Sequence, residues 1–178
     1  KSIPDRSFPC KFVLERFGVT ASENEYADDA YLMIAKSSFY LSDYKNVITS
    51  AEFLRKNIPN SPFIPELTLL EGESYRKLGD FTRAKESYKS IPLKFQNLEI
   101  IAQSKLSTAK ILISEDESEE AIQALESTLL YEKENEFDGK YKEATRFELL
   151  HLLASELEKT EQFVKILTVT KDILLFTE

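Results

Sequence analysis

This sequence holds one histidine, His151, and one cysteine, Cys10. Imidazole catalysis needs a base oriented by a neighbouring group, and a structural zinc site needs several nitrogen or sulfur ligands. Neither chemistry has its material here. His151 has no second histidine and no ordered carboxylate pair to work with, so it reads as a partly buried groove or core residue. Cys10 reads as a small apolar filler. The densest carboxylate run, Glu115-Asp116-Glu117-Ser118-Glu119-Glu120, lacks the alternating ligands and central glycine of a calcium loop. It reads as a turn followed by an acidic first helical turn, which suits the helix dipole. No glycine-rich phosphate loop, nucleophile elbow or zincin motif occurs. The expectation is a non-enzymatic chain with no catalytic residue, no metal and no cofactor.

The 178 residues are 42% hydrophobic and 30% charged, a globular composition in a chain long enough for a real core. Lys and Arg number 23 against 31 Asp and Glu, a net charge of −8. That balance disfavours nucleic acid and anionic lipid, which both need a basic footprint. Most of the excess falls in residues 61–139, which would steer a basic partner segment toward them. No apolar run is long enough to span a bilayer, so no direct membrane span is expected. The sequence opens on Lys1, which points to an upstream segment where a signal or lipid anchor would stand. The residues before Cys10, Ser7-Phe8-Pro9, are unlike a lipid-attachment signal.

Elements that position such residues must be helical. Glycine (4) and proline (6) are scarce, and no Asn-Gly or Asp-Gly hairpin signal joins alternating strands. Tyr31, Ile34, Ala35, Ser38 and Leu41 step by three and four residues, as do Leu67, Leu70, Tyr75 and Leu78, and Ile122, Leu125, Leu129 and Leu130. The breaks are short: Ser42-Asp43-Tyr44, Leu78-Gly79-Asp80-Phe81, and Ser114 to Ser118. Gly79 supplies a left-handed residue that ends one helix, and Asp80 caps the next. Proline marks the longer breaks at Pro59, Pro62 and Pro92.

Val47, Ala84 and Ala121 are spaced by 37 residues, and so are Ala35, Gly72 and Ala109. One fixed period for three helical hairpins signals a solenoid whose units bury their apolar faces against their neighbours. Ala154 continues the series at a spacing of 45, after a polar run over 132–139 that reads as an extended loop. Helices are predicted over Lys140–Leu157 and Gln162–Phe176. The register also reaches back to Cys10, so Pro9–Gly18, with Val13, Leu14 and Phe17, reads as the second helix of a partial unit. The expected organisation is a partial unit over 1–25 and four units at about 26–62, 63–98, 99–139 and 140–178.

Gly72, Tyr75, Leu78-Gly79-Asp80-Phe81, Ala84 and Tyr88 stand at the spacings of a tetratricopeptide repeat, and the chain resembles that family over residues 26–178. The other units keep Ala35, Asp43-Tyr44 and Pro59, or Ala109 and Glu119-Glu120-Ala121-Ile122. The resemblance implies an all-α, right-handed superhelical array of antiparallel helix pairs. The link Pro59-Asn60-Ser61-Pro62-Phe63 and the segment Tyr26-Ala27-Asp28-Asp29-Ala30 resemble helical repeats of bacterial envelope proteins, such as the lipoprotein component of the outer-membrane β-barrel assembly machine. That subtype implies a periplasmic or envelope-associated location and a role in envelope assembly.

The resemblance further implies that the first helix of each pair lines a concave surface and binds another protein or a peptide segment. At the family's spacings the candidate partner-binding residues are Leu32, Lys36, Phe39, Tyr40, Arg76, Lys77, Lys110, Ile113 and His151. The positions that would grip an acidic chaperone tail hold Leu32 and Lys36, then Leu69 and Glu73, which do not form a carboxylate clamp. Phe39 and Tyr40 read more readily as inter-helix packing than as binding residues, and Lys36, Lys77 and Lys110 more readily as solvated faces. Two other readings remain open: a cytoplasmic adaptor recognising a peptide motif, and the repeat domain of a larger protein. Oligomeric state is open.

Overall fold

The structure, a computed structural model, describes residues 27–91, 97–135 and 140–174. The expected N-terminal helix with Cys10, Val13, Leu14 and Phe17 lies outside the described residues, as do Pro92 and residues 136–139 of the expected loop. Among the described residues every regular element is an α-helix. The chain divides into two compact units, Lys1–Phe95 and Gln96–Glu178. The first holds α1 (Ala27–Tyr40), α2 (Tyr44–Asn57), α3 (Ile64–Lys77) and α4 (Phe81–Lys89). The second holds α5 (Leu98–Ser114), α6 (Ser118–Glu134), α7 (Lys140–Lys159) and α8 (Phe163–Leu174). Within each unit every helix packs on the next, and the first helices of the two hairpins, α1 with α3 and α5 with α7, also touch.

All four hairpins turn in the same way. Each link is three residues long, and its middle residue has positive φ: Ser42 at 60°, Gly79 at 79°, Asp116 at 61° and Glu161 at 57°. In each link the middle N–H donates to the carbonyl three residues back, and the next N–H donates five back. These are Ser42 to Phe39 and Asp43 to Ser38, Gly79 to Arg76 and Asp80 to Tyr75, Asp116 to Ile113 and Glu117 to Leu112, and Glu161 to Glu158 and Gln162 to Leu157. This pairing satisfies the orphan carbonyls at a helix end and needs a left-handed residue. The next residue then starts the following helix: Asp43 Oδ1 accepts from Asn46 N, and Asp80 Oδ1 accepts from Arg83 N. Glycine fills the left-handed position once. Serine, aspartate and glutamate fill it elsewhere, so three of the four turns carried no glycine signal.

A side chain held left-handed costs about 1–2 kcal/mol, and glycine escapes that cost at a smaller price in chain entropy. Glu161 lacks the short side chain that eases this conformation for aspartate. Glu161→Gly is therefore expected to stabilise the chain by about 0.5–1 kcal/mol, seen as a higher urea midpoint with an unchanged slope.

The small residues of the 37-residue register are all buried: Ala35, Val47, Ala84, Ala109 and Ala121 are 0% exposed, and Gly72 is enclosed as well. In the fourth hairpin Ile166 stands at the matching second-helix position and is half-buried. The first unit centres on Tyr31, Ala35, Val47, Leu54 and Leu67, with Tyr31 stacked on Phe53 at 4.3 Å between ring centroids. The second centres on Leu106, Ala109, Leu125, Leu149, Leu153 and Leu157. Three predicted stripe residues are exposed rather than packed in these cores. Leu41 is 79% exposed, Leu78 50% and Leu130 56%. Leu41 and Leu78 fall in the hairpin links, where the helical period no longer applies. The expected loop at 132–139 also starts later, because α6 continues to Glu134.

Three buried polar side chains tie elements together. Ser61 is 2% exposed, donates to Asp28 Oδ2 at 2.9 Å and accepts from Phe63 N at 3.2 Å. The proline-flanked link before α3 is thus fastened to the first turn of α1. Glu71 on α3 is 5% exposed and pairs with Arg55 on α2. Glu156 on α7, 1% exposed, accepts from Ser118 Oγ of α6 at 2.7 Å and from Lys159 Nζ at 2.6 Å. Buried carboxylates survive only when paired in this way.

Candidate partner-binding surface

The first helices of the hairpins carry the residues singled out from sequence, and the structure sorts them into three groups. Leu32 is 6% exposed and belongs to the core of the first unit. Phe39 packs against the same core and meets Tyr44 edge-on at 5.6 Å. Ile113 packs against the core of the second unit. These three build the hairpins that the surface sits on.

The second group consists of cations already held by carboxylates. Lys36 Nζ lies 2.7 Å from Glu66 Oε1, joining α1 to α3. Lys110 Nζ lies 2.7 Å from Glu148 Oε1, joining α5 to α7. Lys110 is Lys36 advanced by two 37-residue periods, and Glu148 and Glu66 also match once the longer fourth unit is allowed for. Both units therefore use the same bridge at the same register between successive first helices. All four side chains are partly exposed, so each bridge contributes little to stability. Its effect is positional: it fixes the lysine and lowers the net charge offered to a partner. Arg76 is held by Glu73 at 2.6 Å, and Tyr88 donates its hydroxyl to the same carboxylate at 2.8 Å. Burial works against the charge on Arg76, but these partners outweigh it and hold its pKa above the ordinary arginine value.

The third group is open. Tyr40 is 87% exposed at the end of α1, and Lys77 is exposed at the end of α3, one 37-residue period away. Met33, at 60% exposure, lies on α1 two turns before Tyr40. His151 is exposed on α7, 6.4 Å from the Phe147 ring one turn earlier. It also lines an open groove of about 470 Å³ with Ala154, Ser155, Glu158, Phe163 and Ile166, between α7 and α8.

Among the described residues no group of three or more His, Cys, Asp or Glu converges to hold a metal, and no helix is long and apolar enough to cross a membrane. Sequence reasoning placed Lys36 and Lys110 on first helices without their carboxylate partners, Glu66 and Glu148. The signal was available, since Lys36 and Lys110 share a register and so do Glu66 and Glu148. A scan against protein-family models, a search of curated proteins and a search of solved structures each returned no match.

Proposed function

We propose that this chain is a non-enzymatic protein–protein interaction scaffold, built as a tetratricopeptide-like array, that holds a partner protein on the surface of its first helices. The observation that carries this reading is the inter-hairpin bridge present in each unit: Lys36 to Glu66 in the first, where Tyr40 and Lys77 are exposed, and Lys110 to Glu148 in the second, where His151 is exposed. First helices held in register from one hairpin to the next suit a binding surface wider than a single helix. The array reading draws further support from the four matching turns and the buried small residues at one period.

We place the scaffold in the bacterial cell envelope, in assembly work, on the two short segments around Asp28 and Ser61. Asp28 and Ser61 of these segments meet in one hydrogen bond. Fractionation of cells expressing the full-length gene product tests the compartment, and release with the periplasmic contents is the expected result. Recovery with the cytoplasm would leave the scaffold as a cytoplasmic adaptor.

The binding claim is tested by crosslinked affinity capture from native lysate. Baits are the unaltered chain and a Tyr40→Ala/Lys77→Glu/His151→Ala variant. All three side chains are exposed, so the variant is expected to keep its helical content. It is expected to lose at least about tenfold of the captured partner, the loss of roughly 1.4 kcal/mol or more. Equal recovery by both baits would place the binding surface elsewhere.

A further inference from the structure

We propose that two copies of this chain pair about a two-fold axis through the exposed face of α8. That face is apolar where a surface helix is normally polar. Phe163 is 62% exposed, Val164 82% and Leu167 67%. At 100° per residue these three share one stripe, and exposed Lys171 continues it one turn beyond Leu167. The same face is covered elsewhere in the unit. Ile122 of α6 holds the register position of Leu167, and it is 3% exposed within the core that α7 completes. A face that this fold buries on α6 therefore stands open on α8.

The stripe is complementary to itself. Beside its start, at the end of α7 and in the link, stand exposed Glu158 and Glu161, with Lys159 turned to Glu156, and its far end carries Lys171. The other basic side chain of α8, Lys165, points away to Glu126 of α6 at 3.1 Å. Two α8 helices packed antiparallel about Leu167 place each Phe163 opposite the other copy's Lys171, because the two residues lie four positions either side of Leu167. The lysine stem then covers the ring, and its ammonium reaches Glu158, which lines the same groove as Phe163. A two-fold contact of this kind uses one patch twice and closes on itself. One short helix per copy makes a small interface, so the dimer is expected to be weak, with Kd in roughly the micromolar range or above.

Sedimentation of the 178-residue chain from low micromolar to near-millimolar concentration tests the pairing. The unaltered chain should pass from monomer to dimer. Leu167→Glu should remain monomeric throughout, with circular dichroism checking that its helix content is kept. Lys171→Glu alone should weaken the dimer about tenfold, and Lys171→Glu with Glu158→Lys should restore it. A chain that stays monomeric at every concentration overturns the proposal. So does a dimer that Leu167→Glu leaves intact, or a Lys171→Glu loss that the double exchange does not recover. None of these readouts depends on the partner-binding surface of the first helices.

Discussion

Gly72→Ala is expected to destabilise the first unit by about 2 kcal/mol, although alanine is the better helix former by about 1 kcal/mol. Gly72 sits inside α3, where nothing about the backbone calls for glycine. The reason lies across the helix pair. A Cβ at position 72 would stand 2.7 Å from Tyr88 Cδ1, and closer still to Cε1, within distances that real carbons do not occupy. The ring has little room to retreat, since Tyr88 is 5% exposed and its hydroxyl is tied to Glu73. Overpacking of this kind forces side chains off their rotamers or shifts the backbone.

The same chain shows the alternative solution one period earlier. Ala35 replaces the glycine, Ala51 replaces the tyrosine, and both are buried in one core. Gly72→Ala combined with Tyr88→Ala should therefore cost far less than the sum of the two single changes. Tyr88→Ala alone is expected to cost about 3 kcal/mol through the cavity it leaves. Urea denaturation of the four proteins in this cycle measures the coupling. Additive losses would mean that the tyrosine is not what excludes a Cβ at position 72.

Arg55→Ala is expected to cost about 2–3 kcal/mol, while Glu71→Gln at the other end of the same pair costs much less. Burial raises the pKa of Glu71 above its ordinary value, and the attraction of Arg55 only partly offsets this. The charged carboxylate is thus a burden that the arginine relieves. Removing the arginine leaves the burden, whereas glutamine removes the charge and keeps a hydrogen-bonding group. Arg55 is itself about half exposed, which moderates the effect relative to a fully buried pair.

The pH dependence has a definite sign. A carboxylate whose folded pKa is raised contributes stability that is complete below the unfolded value and is lost as pH rises through the folded value. Relative to the unaltered chain, Arg55→Ala should recover stability as pH falls from neutral into the carboxylate range. Arg55→Ala/Glu71→Gln should show no such recovery. Denaturant midpoints across that range provide the comparison, and a deficit that stays constant with pH would contradict the assignment.

The hairpins were legible because helix crossings need small residues at a fixed period, and Ala35, Gly72, Ala109, Val47, Ala84 and Ala121 stand at that period. The turn at Gly79 was legible because glycine announces a left-handed residue. The turns at Ser42, Asp116 and Glu161 share its geometry without its residue, so only their position between periodic segments marked them. Leu41 and Leu78 were misplaced in apolar stripes because a periodic pattern does not show where the helix under it ends. Buried Glu71 and Glu156 escaped notice for another reason. Their partners, Arg55 and Ser118, lie 16 and 38 residues away, and only packing brings them together. Sequence spacing put all the candidate surface residues on first helices of hairpins. It could not separate Leu32, which is core, from Tyr40, which is open, since both hold outward positions in an idealised repeat.

The most direct measurement of the scaffold reading is site-specific photo-crosslinking in the native lysate. A photoreactive side chain is placed in turn at Tyr40, Lys77 and His151 on the first helices, and at exposed Lys56 and Leu130 on second helices. The account predicts that one partner protein is captured from the first-helix positions and not from the other two. Capture from Lys56 or Leu130, with none from Tyr40, Lys77 or His151, would contradict it.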